Sequence, residues 1–567
     1  MEDFERAGAW FGFATDAPTR LGRAEFHLHA DSEYQAGAGG TTPAQMIQRG
    51  TGKFSFLSRQ SPYATAPLGN MGLRFFNTLT RAVEEFAPLD PAGKKVGMYC
   101  CGPTVHDFAH IGNFRTFVFA DLVRRYLEFK GYILTHVMNI TDVEDKIIKR
   151  VRESGSSREE YTAGYEAEFF KDFDALGCSR PQHTPRATGH IGDIISLIDK
   201  LIARGTAYKA ADGSVYFSIE KYRGCGCQYG QLVKLNFDEM RPGERVSSDE
   251  YAKESIADFA LWKARAPEDG QVFWPSPWGE GRPGWHIECS AMSMKILGTS
   301  FDLHLGGEDL IFPHHEDEIA QSEGAGVQRA GERFVKYWLH GAHLMVEGKK
   351  MSKSLGNFFT LRELIEKKKF TGREVRYLLL QAHYRESFNF TLDGLQSART
   401  ALARIDECVG KLQELTGDTI SLADRTVIEE FMAALDDDLN VSSGWRVVFD
   451  WVKATNKALA ADTLSLGGAK TALATWYKMR EVWGLQAGKR SSKVLAEAVS
   501  SSPGHLTLPI QDVSTENLSP DIADLVLERH RAKIQRDFKR ADAIRNELKA
   551  KGWAIEDTPK GSRLKRL

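Results

Sequence analysis

Val96-Gly97-Met98-Tyr99-Cys100-Cys101 is a short apolar run that stops at Gly102-Pro103, and beyond it Phe117, Leu122, Val123, Tyr126 and Leu127 recur at helical spacing until Gly131. A short apolar run closed by turn formers is the pattern of a buried strand. Apolar residues three and four apart line one face of a helix. Tyr132 to Ile140 predicts a second strand. Strand, loop, helix and strand within about fifty residues make the first unit of a doubly wound, Rossmann-like parallel sheet of the α/β class, whose ligands sit beyond the C-terminal strand ends. The loop from Cys101 to Asn113 is therefore the first place to look for chemistry.

Working outward, residues 71–150 form the first half of this sheet domain. Residues 151–281 mix helical segments, short strands and a polar stretch, as an insertion would, and 282–360 resume the sheet domain. Helical periodicity dominates 361–490, through Val375, Leu378 and Leu379, then Leu395 to Leu412 and Phe431 to Val452. Ser, Thr and Pro mark 491–520 as a linker, and Leu525, Val526, Phe538, Ala541, Ile544 and Leu548 pattern a small module over 521–567. Residues 1–70 lack periodicity and read as a disordered leader; with seven Asp/Glu against six Arg/Lys, and no apolar core, they suit neither a transit nor a signal peptide.

The chain has 567 residues, 42% of them hydrophobic, and no apolar run long enough to span a bilayer. Seven scattered cysteines do not make a secreted disulfide framework, so a reducing cytoplasm is expected. The net charge is −2, so any nucleic-acid contact must come from local basic patches. The segment 521–567 is one, with thirteen Lys/Arg and eight Asp/Glu, 13 − 8 = +5.

Two constellations carry chemistry. His110-Ile111-Gly112-Asn113 follows a strand and opens a helix, where backbone N–H groups and the helix dipole favour phosphate. Lys350-Met351-Ser352-Lys353-Ser354, after Gly348, brings two ammonium groups able to stabilise charge on transferring phosphates. Together and in this order they resemble the HIGH and KMSKS signatures of class I aminoacyl-tRNA synthetases, except that Asn113 stands where the family has His. Four further stretches are similar to the cysteinyl branch of that family: Cys101 to Asp107, Asn139 to Lys146, Gly284 to Ser290 and Phe312 to Glu316.

The resemblance, which runs from about Phe75 to the C-terminal end, implies that the chain activates L-cysteine with ATP and passes it to tRNA. It implies a zinc ion held by Cys101, Cys289, His314 and Glu318 and magnesium accompanying ATP, with a single chain as the working unit. Pro313 suits the first turn of a helix, on which His314 and Glu318, four apart, share a face. Cys100 should then point away from Cys101, and His315 and Glu316 away from the metal. The family's pattern makes Trp285 the wall of the amino-acid pocket, with Thr104 and His304 lining it. Gly306, Gly307 and Asp309 join His110, Gly112, Asn113 and Lys353 around ATP, and His110, Asn113, Lys350 and Lys353 are the expected catalytic residues. Ala541 to Leu548 and Glu556 to Gly561 resemble the family's anticodon-reading module. That module argues against a cysteine ligase acting on an aminosugar, and the intact Lys350 to Ser354 argues against a silent tRNA-binding protein. Cys225-Gly226-Cys227 has no His or second cysteine pair near it in sequence and is read as surface thiols.

Overall fold

The computed structural model describes residues 72–233, 258–351, 357–485, parts of 522–532, 538–558 and 561–566. The expected leader 1–70, the linker 491–520 and Lys353 lie outside these residues, and so does the polar stretch of the insertion. A short antiparallel pair, β1 (Arg74–Asn77) and β2 (Ala82–Glu85), precedes β3 (Lys95–Cys100), α1 (Ile111–Phe129) and β4 (Ile133–Met138), the strand–helix–strand unit expected from the opening run. Then come α2 (Asp145–Ser154), α3 (Arg158–Ala175), α4 (Ile191–Ala203), β5 (Ala207–Lys209), β6 (Val215–Phe217), α5 (Ile219–Gly224), β7 (Phe259–Ala264) and β8 (Gly281–Pro283). The second part of the sheet domain holds α6 (Trp285–Leu297), β9 (Phe301–Gly307), α7 (Glu316–Gly324) and β10 (Val335–Gly341).

The central sheet has the order β4-β3-β9-β10, and every neighbouring pair is parallel. From β3 the chain leaves toward one edge of the sheet and from β9 toward the other, so the crevice beyond Cys100 and Gly307 is a topological switch point, where doubly wound folds bind ligands. Residues 183–186 add backbone bonds along β4, through Met138 N–H to His183 O and Ile140 N–H to Pro185 O. Phe169, Phe170 and Phe173 of α3 pack into the core around α1. A second core begins at Ile191 and joins α4 to the antiparallel sheet β5-β6-β7-β8. The change of sequence pattern at 151 is thus not a change of core; the chain keeps feeding the first core as far as Cys178.

After β10 the small sheet β12-β11-β13 forms from β11 (Leu344–Val346), β12 (Lys349–Lys350) and β13 (Phe388–Phe390), with α8 (Gly372–Leu379) between. Four helices follow: α9 (Leu392–Thr416), α10 (Arg425–Asp436), α11 (Val441–Ala460) and α12 (Leu466–Trp483). The periodic stretch Phe431 to Val452 is broken into two helices, because Asp438 and Leu439 take φ of 54° and 55° and Asn440 caps the next helix by accepting from Ser443 N–H. The terminal module comprises α13 (Phe538–Ala550) and the hairpin β14 (Trp553–Thr558) and β15 (Gly561–Arg566), and Ile544 and Leu548 pack on Ile522 and Ile555. No helix among the described residues is long and apolar enough to cross a membrane.

Candidate active site and metal centre

Cys101 follows the end of β3, Cys289 lies in α6, and His314 and Glu318 belong to the turn before α7 and to α7 itself. One ligand atom from each lies within 4.8 Å of the others, and all four residues are buried. Pleating separates the neighbouring cysteines as expected: Cys100 faces the core with α1, and Cys101 packs with Cys289 and Trp338 on the other side. His314 Nε2 stands 3.1 Å from Glu318 Oε1, the contact expected four residues apart. Gly102 must be glycine, since a Cβ there would lie 1.7 Å from Asn139 O. That close approach, with Gly102 N–H donating to Asn139 Oδ1 at 2.8 Å, fixes the Cys101 loop against the loop after β4.

One expectation fails here. His315 points toward the metal cluster, with Nε2 at 3.3 Å from Cys101 Sγ, and Cys101, His304, His315 and Glu318 form a second convergent group. Helical spacing misplaced it because Phe312 has extended backbone, φ −139° and ψ 133°, so residues 311–315 are not a regular helical turn. Pro313 accordingly does not open a regular first turn; α7 begins at Glu316. Glu316 does turn away, and its carboxylate accepts backbone N–H groups of Gly230, Gln231 and Leu232.

The surroundings suit a bound cation. Burial opposes charge on Glu318, but His304 and His314 outweigh it and hold the carboxyl down to about 2. The Cys101 thiol, hydrogen-bonded to Cys289, brings the latter down to about 6 against the effect of burial, while burial and the neighbouring anions push Cys101 itself well up. Burial would lower His314, yet Cys289 and Glu318 raise it to about 10. Two sulfurs, an imidazole and a carboxylate are a donor set that zinc accepts, and a dication would take over the neutralising role of the His314 proton. The candidate ligands, and His315 beside them, are themselves held: His286 Nδ1 lies 2.8 Å from His314 Nδ1, His304 Nε2 3.0 Å from Glu318 Oε2, and His315 Nδ1 2.7 Å from His340 Nε2. Such outer contacts orient metal ligands. Trp285, partly exposed, places its ring centroid 4.4 Å from that of His314.

On the opposite wall, His110 caps α1. Its Nδ1 accepts from Asn113 N–H at 3.2 Å while Asn113 Oδ1 accepts from His110 N–H at 3.1 Å. Ile111 N–H goes to Phe359 O, so that of the first three helical residues Gly112 alone has an N–H with no hydrogen-bond partner among the described residues. A Cβ on Gly112 would sit 3.1 Å from Met351 Cε, so the residue after Lys350 reaches the start of α1. Lys350 is exposed at the end of β12. A Cβ on Gly306 would lie 2.5 Å from the His315 ring, and one on Gly307 would lie 2.3 Å from Asp309 Oδ1 and 3.6 Å from Thr116 of α1. The two glycines therefore let β9 pass between the histidine cluster and α1. Thr104 pairs through its backbone neighbours with Thr141, as Val105 N–H donates to Thr141 O and Thr141 N–H to Pro103 O.

The family described as tRNA synthetases class I (C) catalytic domain matches residues 87–400, and the DALR domain family matches 430–485. Cysteine–tRNA ligase from Chlamydia muridarum (strain MoPn / Nigg) is 42% identical over 506 residues, covering 88% of this chain and 100% of the relative. The cysteine–tRNA ligase of Koribacter versatilis (strain Ellin345) is 43% identical over 510 residues, with 88% and 100% covered. The chain belongs to the cysteine–tRNA ligase family. It is a class I synthetase-type ligase, with the Rossmann-like catalytic domain and the helical domain of that class. Among solved structures, Mycobacterium tuberculosis methionyl-tRNA synthetase in complex with methionyl-adenylate aligns at 14% identity and a TM-score of 0.49, over 69% of this chain and 89% of its own. In this ligase the histidines His286 and His340 were missed by sequence reasoning, because they come from different elements and no local spacing links them to the four expected ligands.

Proposed function

We propose that this chain activates L-cysteine with ATP and esterifies it to the 3′ end of cysteine tRNA, with zinc at Cys101, Cys289, His314 and Glu318 selecting the substrate thiol. The observation that carries the reading is the convergence of those four side chains, beside Trp285, at the switch point that also receives the start of α1. Zinc, when bound, supplies a Lewis-acidic position that favours a thiolate over an alcohol.

The other tasks fall to the chain. The Gly112 N–H and the dipole of α1 favour phosphate, and Lys350 and Lys353 offset charge on the triphosphate, which magnesium accompanies. Held in line, the cysteine carboxylate attacks the α-phosphate and pyrophosphate leaves. The terminal hydroxyl of tRNA then attacks the adenylate carbonyl and AMP leaves. Gly306 and Gly307 permit close approach of the nucleotide, Asp309 offers a carboxylate to its hydroxyls, and Trp285, Thr104 and His304 enclose the amino acid. The basic module 521–567 reads the anticodon, and one chain is the working unit. Cysteine-dependent exchange of pyrophosphate into ATP tests the reading. It should require about one zinc per chain, discriminate against serine by well over the roughly 200-fold that shape supplies, and collapse in Cys289→Ser and His314→Ala. Full activity and serine rejection after metal removal would refute it.

A further inference from the structure

A tRNA ligase with a net charge of −2 must meet its polyanion with locally grouped cations. One such group, outside every site described above, is Lys367-Lys368-Lys369. It ends the turn that starts against the phosphate side of the crevice, where Ile111 N–H donates to Phe359 O and His110 bridges Thr360. From Thr360 to Lys368 is eight residues, or about 12 Å at the helical rise.

The backbone at this turn is unusual. Lys368 N–H donates to Glu363 O at 3.1 Å, Phe370 N–H donates to Leu364 O at 3.0 Å, and Lys369 between them has φ of 60°. The Phe370 bond spans six positions, one more than in a Schellman motif, and like that motif it closes the turn across a left-handed residue, a position that is ordinarily glycine. The turn is also clamped. Arg399 Nη2 donates to Lys369 O at 2.7 Å, the same guanidinium is paired with Glu374, and it stands 4.7 Å from the Phe370 ring centroid. All three lysines are exposed. Lys367 has a solvent-exposed pair with Glu363 at 3.1 Å, whereas Lys368 and Lys369 have no ion-pair partner among the described residues.

A structural role accounts for part of this, since cations in a last helical turn suit the dipole. It does not account for a lysine where the backbone favours glycine, nor for a clamp that holds the lysines outward. We propose that Lys367, Lys368 and Lys369 form a preorganised contact for the RNA phosphate backbone, close to the point where the acceptor end of tRNA enters the crevice. The inference rests on the tRNA reading above and adds to it a place and a charge count.

The test is binding of a cysteine tRNA transcript to the full chain over a range of salt, for the parent and for the double variant Lys368→Ala, Lys369→Gly. Loss of two phosphate contacts should reduce the slope of log K against log salt by about 1.5 and weaken binding on the order of tenfold at low salt. Pyrophosphate exchange should stay within about twofold, and the melting temperature of Lys369→Gly alone should not fall, because glycine suits that backbone. An unchanged salt slope in a parent that binds tRNA overturns the proposal. So does a fall in the melting temperature of Lys369→Gly with tRNA affinity intact, which would make the lysine structural. A parent chain that neither binds nor charges tRNA would instead defeat the tRNA reading, and this surface with it.

Discussion

In the capping box of α1, Asn113 accepts the His110 N–H through Oδ1, which turns the amide NH₂ outward as a hydrogen-bond donor at any pH. Asparagine can therefore replace an imidazole both as helix cap and as phosphate donor. Asn113→Ala should cost about 1 kcal/mol of stability, a fall of roughly 1–2 °C in melting temperature for a chain of this size. It should also slow pyrophosphate exchange by about tenfold or more, the loss expected of one transition-state donor. An unchanged exchange rate with the lower melting temperature would make Asn113 a cap alone. At this scale the sequence was legible where spacing is local: His110 and Asn113 lie in one turn, and His314 and Glu318 four apart. Cys101 and Cys289 are 188 positions apart in the chain, and only the resemblance to a family paired them. His315 was misread because its direction was taken from a helical period that Phe312 interrupts.

Among the elements, α1 is the axis on which the site and the helical domain meet. Its Asp121 is buried with Arg376 of α8, whose Nη2 is 2.5 Å from Asp121 Oδ2 and whose Nε donates to Trp483 O at the end of α12. Burial alone would raise the Asp121 pKa, but Arg376 and Arg125, with the Ser179 N–H, outweigh it and hold the carboxyl below its ordinary 3.8. A group depressed on folding contributes stability that is complete above its unfolded pKa and is lost as pH falls through the folded value. Asp121→Asn should cost about 3–5 kcal/mol near neutral pH by leaving Arg376 buried without its anion. Below pH of about 4 the parent should lose melting temperature more steeply than the variant. Equal slopes in acid would mean that the carboxylate is not depressed in the folded chain. The pairing itself was not legible, because Asp121 and Arg376 are far apart in sequence. Nor was the break between α10 and α11, which falls inside the stretch Phe431 to Val452 that periodicity joins; the cap-forming run Asp436-Asp437-Asp438-Leu439-Asn440 was the signal that could have shown it.

Across the whole molecule, the parallel sheet, the insertion and the helical domain follow from periodicity, while the packing of α3 with the first core does not. Its Phe169, Phe170 and Phe173 are apolar in either arrangement, and only the tertiary fold chooses between them. What unites these parts is a crevice with the N-terminus of α1 on one wall and a sulfur-, nitrogen- and oxygen-lined cage on the other. The claim that a metal in this cage reads the substrate's sulfur can be put to one measurement. Cobalt(II) is substituted into the full chain, and its absorption is followed during titration with cysteine and then with serine. Cysteine should intensify the sulfur-to-cobalt charge-transfer absorption beyond that of Cys101 and Cys289, and serine should leave it unchanged. A spectrum that does not respond to cysteine, or responds equally to both amino acids, would contradict the account.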